Sequence, residues 1–113
     1  MGGCEGTTLE EGAAVSLPIT LAPGAEADME EAYDWFENLR AGAGDEFSNA
    51  VEQTFTSIAA QPRMHAKIKA GVRRAPVPGY PYYRVIYRER SGDVEVLSVF
   101  HTSRDPAVWQ GRV

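Results

Sequence analysis

The hydrophobic spacing of this chain changes once, and that change limits what it can fold into. From Pro23 to about Gln61 apolar residues recur every three or four positions; from Val72 to His101 they alternate every second one. The first period belongs to an amphipathic helix and the second to a half-buried strand. A chain of 113 residues, enough for one hydrophobic core, must therefore pack helices made by its first half on a sheet made by its second.

The helical part divides in two. Pro23 suits a first helical turn, and Ala25, Met29, Ala32, Phe36 and Leu39 form one apolar stripe, which predicts a helix from about Pro23 to Arg40. The AGAG run at 41–44 breaks it. A second helix is expected from about Asp45 to Gln61, with Phe47, Val51, Phe55 (or Thr54) and Ile58 inward and Pro62 as its stop. So short a linker implies an antiparallel helical hairpin.

Ahead of it, LPITL (17–21) reads as a short strand, Pro18 favouring an edge. VRRAPV (72–77) is a further strand that Pro76 ends or pushes to an edge. YYRVIYRER (82–90) and VEVLSVFH (94–101), joined by Ser91-Gly92-Asp93, form a β-hairpin. Both faces of 94–101 carry apolar residues, which places that strand inside the sheet. The expected order is β-α-α-β-β-β, an α+β fold with a helical hairpin on one face of a small, mainly antiparallel sheet. Residues 1–16 show no period and read as a flexible tail, leaving 17–113 as a single domain.

Charge is divided as sharply as period. Residues 1–60 hold twelve acidic residues against one basic, Arg40; residues 61–113 hold four against ten. Either the basic half meets an acidic partner or a phosphate backbone, or the two halves neutralise each other. Cys4 is the only cysteine, and the N-terminus lacks the basic and apolar regions of a signal peptide, so a cytoplasmic location is expected. No run is long enough for a membrane span. A phosphate-binding glycine loop, a nucleophile elbow and metal-ligand spacing are all missing, so no cofactor and no metal are expected. The carboxylates at 26, 28, 30, 31, 34 and 37 read as a solvated outer face of the first helix. Met64-His65 reads as surface loop.

What remains is a set of cations and aromatics: Arg73, Arg74, Tyr82, Tyr83, Arg84, Tyr87, Arg88, His101, Arg104 and Trp109. Folding the hairpin about Ser91-Gly92 brings His101 opposite Tyr82–Arg84, so these residues are expected to converge at one end of the sheet, with Arg104 just beyond. RNA cleavage needs an acid, a base and cations for the charge developing on phosphorus. His101, Arg84 and Arg104 are the candidates for those roles. Each has a plainer reading beside it: His101 as a hydrogen-bonding strand end, Arg104-Asp105-Pro106 as a local ion pair and stop, Trp109 as core or rim.

In LAPGAEADMEEAYDWF, GDEFSNAVEQTFTSIAAQP and, most specifically, GYPYYRVIYRERSGDVEVLSVFHTSRDPAVW, the chain resembles the RelE/ParE superfamily of toxins from bacterial type II toxin–antitoxin modules. The resemblance runs from about residue 17 to 112 and implies the same β-α-α-β-β-β fold. RelE-like members are ribosome-dependent endoribonucleases that cut mRNA; ParE-like members poison DNA gyrase. The H-x-x-R-D-P-x-x-W ending and the sparse lysines look more like the ParE side. The resemblance thus implies a growth-inhibiting, gyrase-directed toxin of the plasmid-stabilization kind, with a ribosome- and mRNA-directed nuclease as the alternative. On the first reading Arg73, Arg74, Tyr82, Tyr83, Arg88 and Trp109 contact the target or an antitoxin; on the second His101, Arg84 and Arg104 do chemistry. Either way the implied partner is a ParD- or RelB-like antitoxin in a hetero-oligomer, its disordered segment folding along the toxin as helix or strand.

Overall fold

Pro23 starts the first long helix where the spacing places it, its ring at a position that has no intrahelical N–H to lose. The structure is a computed structural model that describes residues 17–69, 71–104 and 107–111, with Val108 described by its backbone alone. The expected tail at 1–16 and the expected stop at Asp105-Pro106 lie outside the described residues.

The elements in chain order are β1 (Ile19–Leu21), α1 (Pro23–Leu39), α2 (Ala43–Ala60), β2 (Ala66–Lys69), β3 (Val72–Val77), β4 (Tyr80–Arg90), β5 (Asp93–His101) and α3 (Ala107–Gln110). The five strands form one sheet in the order β1-β5-β4-β3-β2. All pairings are antiparallel except β1 with β5, which are parallel. This is the expected α+β fold with one strand more than the sequence predicts. β2 was not anticipated, because its AKIK is short and mostly exposed and so carries no alternation of burial. The α1–α2 linker is also tighter than AGAG suggested: α2 already begins at Ala43, with Gly42 turned to a φ of 89° ahead of it.

The two helices pack on one face of the sheet. Phe47, Val51, Ile58, Val85, Tyr87, Val94 and Val96 are fully buried between them and the strands. At Gly44 the two helices pack closely. A Cβ there would sit 2.8 Å from both the Tyr33 ring and Glu37, and the Gly44 N–H donates to the Glu37 carboxylate at 2.9 Å. The opposite face holds a smaller cluster of Val72, Ile86, Leu97, Phe100 and Trp109, with Ile68 against it. Trp109 thus joins the core from α3, as its plainer reading had it.

Two expectations about α1 need correction. Leu39, counted in the apolar stripe, is 64% exposed because it lies in the last turn, beyond the sheet. Asp28, counted among the solvated carboxylates, is buried. Its carboxylate accepts from the Ser98 hydroxyl at 2.7 Å and from the Val99 N–H at 3.1 Å. β1 ends at Leu21, so beyond Val96 the edge of β5 has no strand beside it. Asp28 supplies the acceptor that a longer β1 would have offered. In this part of β5 the register against β4 shifts between Ile86 and Tyr87, which leaves Leu97 as an extra residue.

Candidate functional site

The strand ends that carry the conspicuous aromatic and cationic residues meet the middle of α1. Between them lies a pocket of about 600 Å³, lined on the helix side by Glu31, Ala32, Trp35 and Phe36 and on the sheet side by Tyr80, Tyr82, Tyr83, His101 and Arg104. Its floor continues the core. Phe36 stacks on Phe47 at 4.8 Å, Tyr83 meets Phe47 at 4.8 Å, and the His101 ring stands edge-on to Tyr83 at 4.9 Å. Toward solvent the Tyr82 ring lies roughly parallel to His101 at 6.1 Å. Tyr82 is 66% exposed and Trp35 55%, so the mouth presents two large aromatic rings to water.

The chain turns sharply just after β5, and that turn sets the chemistry of His101. Arg104 N–H donates to the His101 carbonyl at 2.9 Å, closing a four-residue turn. Within it the Ser103 N–H reaches His101 Nδ1 at 3.1 Å, and the Ser103 hydroxyl lies 2.7 Å from the same nitrogen. A backbone N–H only donates, so Nδ1 is the acceptor and a neutral His101 carries its proton on Nε2. The lone pair a general base would use is thereby engaged by Ser103. The ring can offer an N–H to an acceptor in the pocket more readily than it can take a proton from one.

Arg104 is engaged too, with Glu31 across the pocket mouth at 3.2 Å. Both side chains are largely exposed, so this pair is a weak and exchangeable one. Burial raises the Tyr83 phenol above its usual range, the Glu31 carboxylate raises it further, and Arg104 offsets part of this.

The site residues expected from sequence divide between this pocket and other places. Tyr82, Tyr83, His101 and Arg104 come together. Arg84 does not join them: register pairs His101 with Tyr83 and Arg84 with Phe100, so Arg84 stands on the opposite face of the sheet. There its guanidinium folds back onto the carbonyls of Pro81 (2.7 Å) and Tyr83 (2.8 Å). Arg88 pairs with Glu95 at 2.8 Å near the hairpin turn. Arg73 donates to the His65 carbonyl at 2.9 Å, at the far end of the sheet. Arg74, opposite Ile86, is exposed.

Trp35, Tyr80 and Glu31 were missed. Trp35 sits one position outside the apolar stripe of α1, and only the approach of the β4–β5 end makes it part of a site. Among the described residues no group of His, Cys, Asp or Glu is placed to hold a metal ion, and no helix is long and apolar enough to cross a membrane.

The comparisons agree with this architecture. The family model described as ParE toxin of type II toxin–antitoxin system, parDE, matches residues 19–106, most of the chain. Among solved structures the chain is similar to one from P. aeruginosa described as a chromosomal ParDE TA system. The TM-score is 0.66 and the identity 13%, over 76% of this chain and 96% of that one. No curated protein matches.

Proposed function

We propose that this chain, which belongs to the ParE toxin family of type II toxin–antitoxin systems, arrests bacterial growth in the cytoplasm by trapping DNA gyrase on cleaved DNA, and that a cognate antitoxin neutralises it. Gyrase poisoning is the activity implied by the ParE-like ending of the sequence. The observation that favours this over mRNA cleavage is that Arg84 is kept apart from the other two nuclease candidates, His101 and Arg104. Arg84 lies on the other face of the sheet, and the His101 lone pair is turned to Ser103. Acid–base cleavage of RNA needs such groups within reach of one phosphate. A pocket edged by exposed Trp35 and Tyr82 is suited instead to gripping a protein surface, because aromatic rings of this kind are the usual anchors of interfaces. The description of the similar structure as a ParDE system supports an antitoxin as the second partner.

The test sets purified toxin beside gyrase, supercoiled plasmid and ATP, and in parallel beside ribosomes programmed with a defined mRNA. Linear plasmid released by detergent and protease, with intact mRNA, is the expected result. Codon-linked mRNA cuts that disappear in His101→Ala and Arg104→Ala, with no linear plasmid, would establish the nuclease reading instead.

A further inference from the structure

We infer that the aromatic pocket beside α1 takes an acidic residue of gyrase together with an apolar side chain next to it, and that Glu31 stands in for that carboxylate in the free toxin; this rests on the gyrase reading above. Among the described residues lining the pocket Arg104 is the one cation, and its Nη1 lies 3.2 Å from Glu31 Oε1. Bonds from an arginine to a carboxylate run at about 2.7–2.9 Å when well made, and are often two-pronged. Glu31 thus answers Arg104 loosely, from an exposed position where water competes for it. The other polar groups at hand are donors. The neutral His101 ring carries its proton on Nε2, because the Ser103 N–H occupies Nδ1 at 3.1 Å. The Tyr83 phenol, close enough to feel both Glu31 and Arg104, makes no hydrogen bond to another described residue. Asp28, the second carboxylate of the lining, already accepts from Ser98 and Val99. Donors gathered around one loosely answered guanidinium are complementary to an anion.

The surroundings decide which anion. α1 carries Glu26, Glu30, Glu31, Asp34 and Glu37, and no basic residue from Pro23 to Leu39. A run of phosphates laid across the mouth would meet that acidic helix with a single arginine in its favour. A lone carboxylate only exchanges with that of Glu31. What accompanies it is set by the rings. Phe36 and Tyr83 line the pocket, and Trp35 and Tyr82 stand exposed at its mouth, where they lose water only against an aliphatic or aromatic side chain. The volume of about 600 Å³ is ample for one such side chain beside its carboxylate.

The test uses the whole toxin and two probes, with circular dichroism confirming that each variant is folded. First, hydrocinnamate and its neutral amide are titrated separately, followed by NMR at the Trp35 indole and the His101 ring. The acid is expected to bind about tenfold more tightly than the amide. Glu31→Gln should tighten binding of the acid about threefold and leave the amide unchanged, and Arg104→Gln should erase the difference between the two. Equal binding of acid and amide by the wild type overturns the inference. Displacement of the acid by a short single-stranded oligonucleotide makes nucleic acid the occupant, and also overturns it. Second, affinity is measured for the gyrase holoenzyme. Arg104→Gln is expected to weaken it about tenfold and Glu31→Gln to strengthen it about threefold. The double variant should match Arg104→Gln, since removing Glu31 helps only while Arg104 is present. Gyrase affinity indifferent to Arg104, or a loss confined to binding of the protein encoded by the adjacent reading frame, overturns gyrase as the occupant while leaving gyrase poisoning standing. Wild-type toxin that does not bind gyrase overturns both.

Discussion

The same strands present two faces, and the two are built differently. Under α1 and α2 the sheet contributes Ala75, Val77, Val85, Tyr87, Val94, Val96 and Val99 to a core that Phe47, Val51 and Ile58 fill from above. On the opposite face, among the described residues, the sheet buries a smaller set, Val72, Ile86, Leu97 and Phe100, covered by the ring of Trp109, with Arg74, Arg84 and Arg88 around them. One face holds the fold together and the other is patched. The exposed rings of Trp35 and Tyr82 collect where the helical layer ends, at the aromatic pocket beside α1.

The comparison can be broken by cutting one residue from each face. Phe47→Ala empties a fully buried site touched by both helices and three aromatic rings, and should cost about 4 kcal/mol. Trp109→Ala removes a larger ring from a smaller, shallower cluster and should cost less, about 3 kcal/mol. Urea denaturation of the two variants decides it. If Trp109→Ala is the more damaging, the far face is a second core and the contrast fails.

Asp28 tests whether the helical layer is also tied to the sheet by polar contacts. Asp28→Ala leaves the Ser98 hydroxyl and the Val99 N–H without their buried acceptor and should cost about 2 kcal/mol, with faster amide exchange at Val99. Gly44→Ala forces a methyl group against Tyr33 and Glu37 and should cost about 1–2 kcal/mol, visible as a lowered Tm. A smaller effect is expected at the hairpin turn that both faces share. Bonds from Arg90 and then Thr20 hold the Asp93 carboxyl down at about 2. Because its folded value lies below the usual carboxylate range near 4, its contribution is complete above that range and fades as pH falls toward 2. Asp93→Asn should lower stability slightly at neutral pH and converge on the wild type as pH falls toward 2, so that the acid limb of a stability–pH curve is flatter.

Much of the fold was legible because it is written in periods. The stripe Phe47, Val51, Phe55, Ile58 and the alternation through Tyr83, Val85 and Tyr87 both point inward as spacing requires. The parts that were not legible depend on partners distant in sequence. Asp28 looks like any helix-surface carboxylate until Val99, 71 positions later, is laid beside it. Trp35 gains its place only from Tyr82 and His101. For the pocket, register decided everything: matching His101 to the Tyr82–Arg84 region was right to within a residue. Yet that residue is the difference between Tyr83, on the pocket side, and Arg84, on the other face.

The parallel pairing of β1 with β5 has a consequence for the order in which the molecule can be made. Residues 19–21 find their neighbours only at residues 94–96, and the pocket-forming end of the sheet only at residue 101. During synthesis the helical hairpin leaves the ribosome with its apolar stripe bare, and it stays bare until nearly the whole sheet has followed it. A nascent chain halted anywhere before β5 has no partial toxin to offer. Truncation that removes β5 therefore removes the fold as a whole.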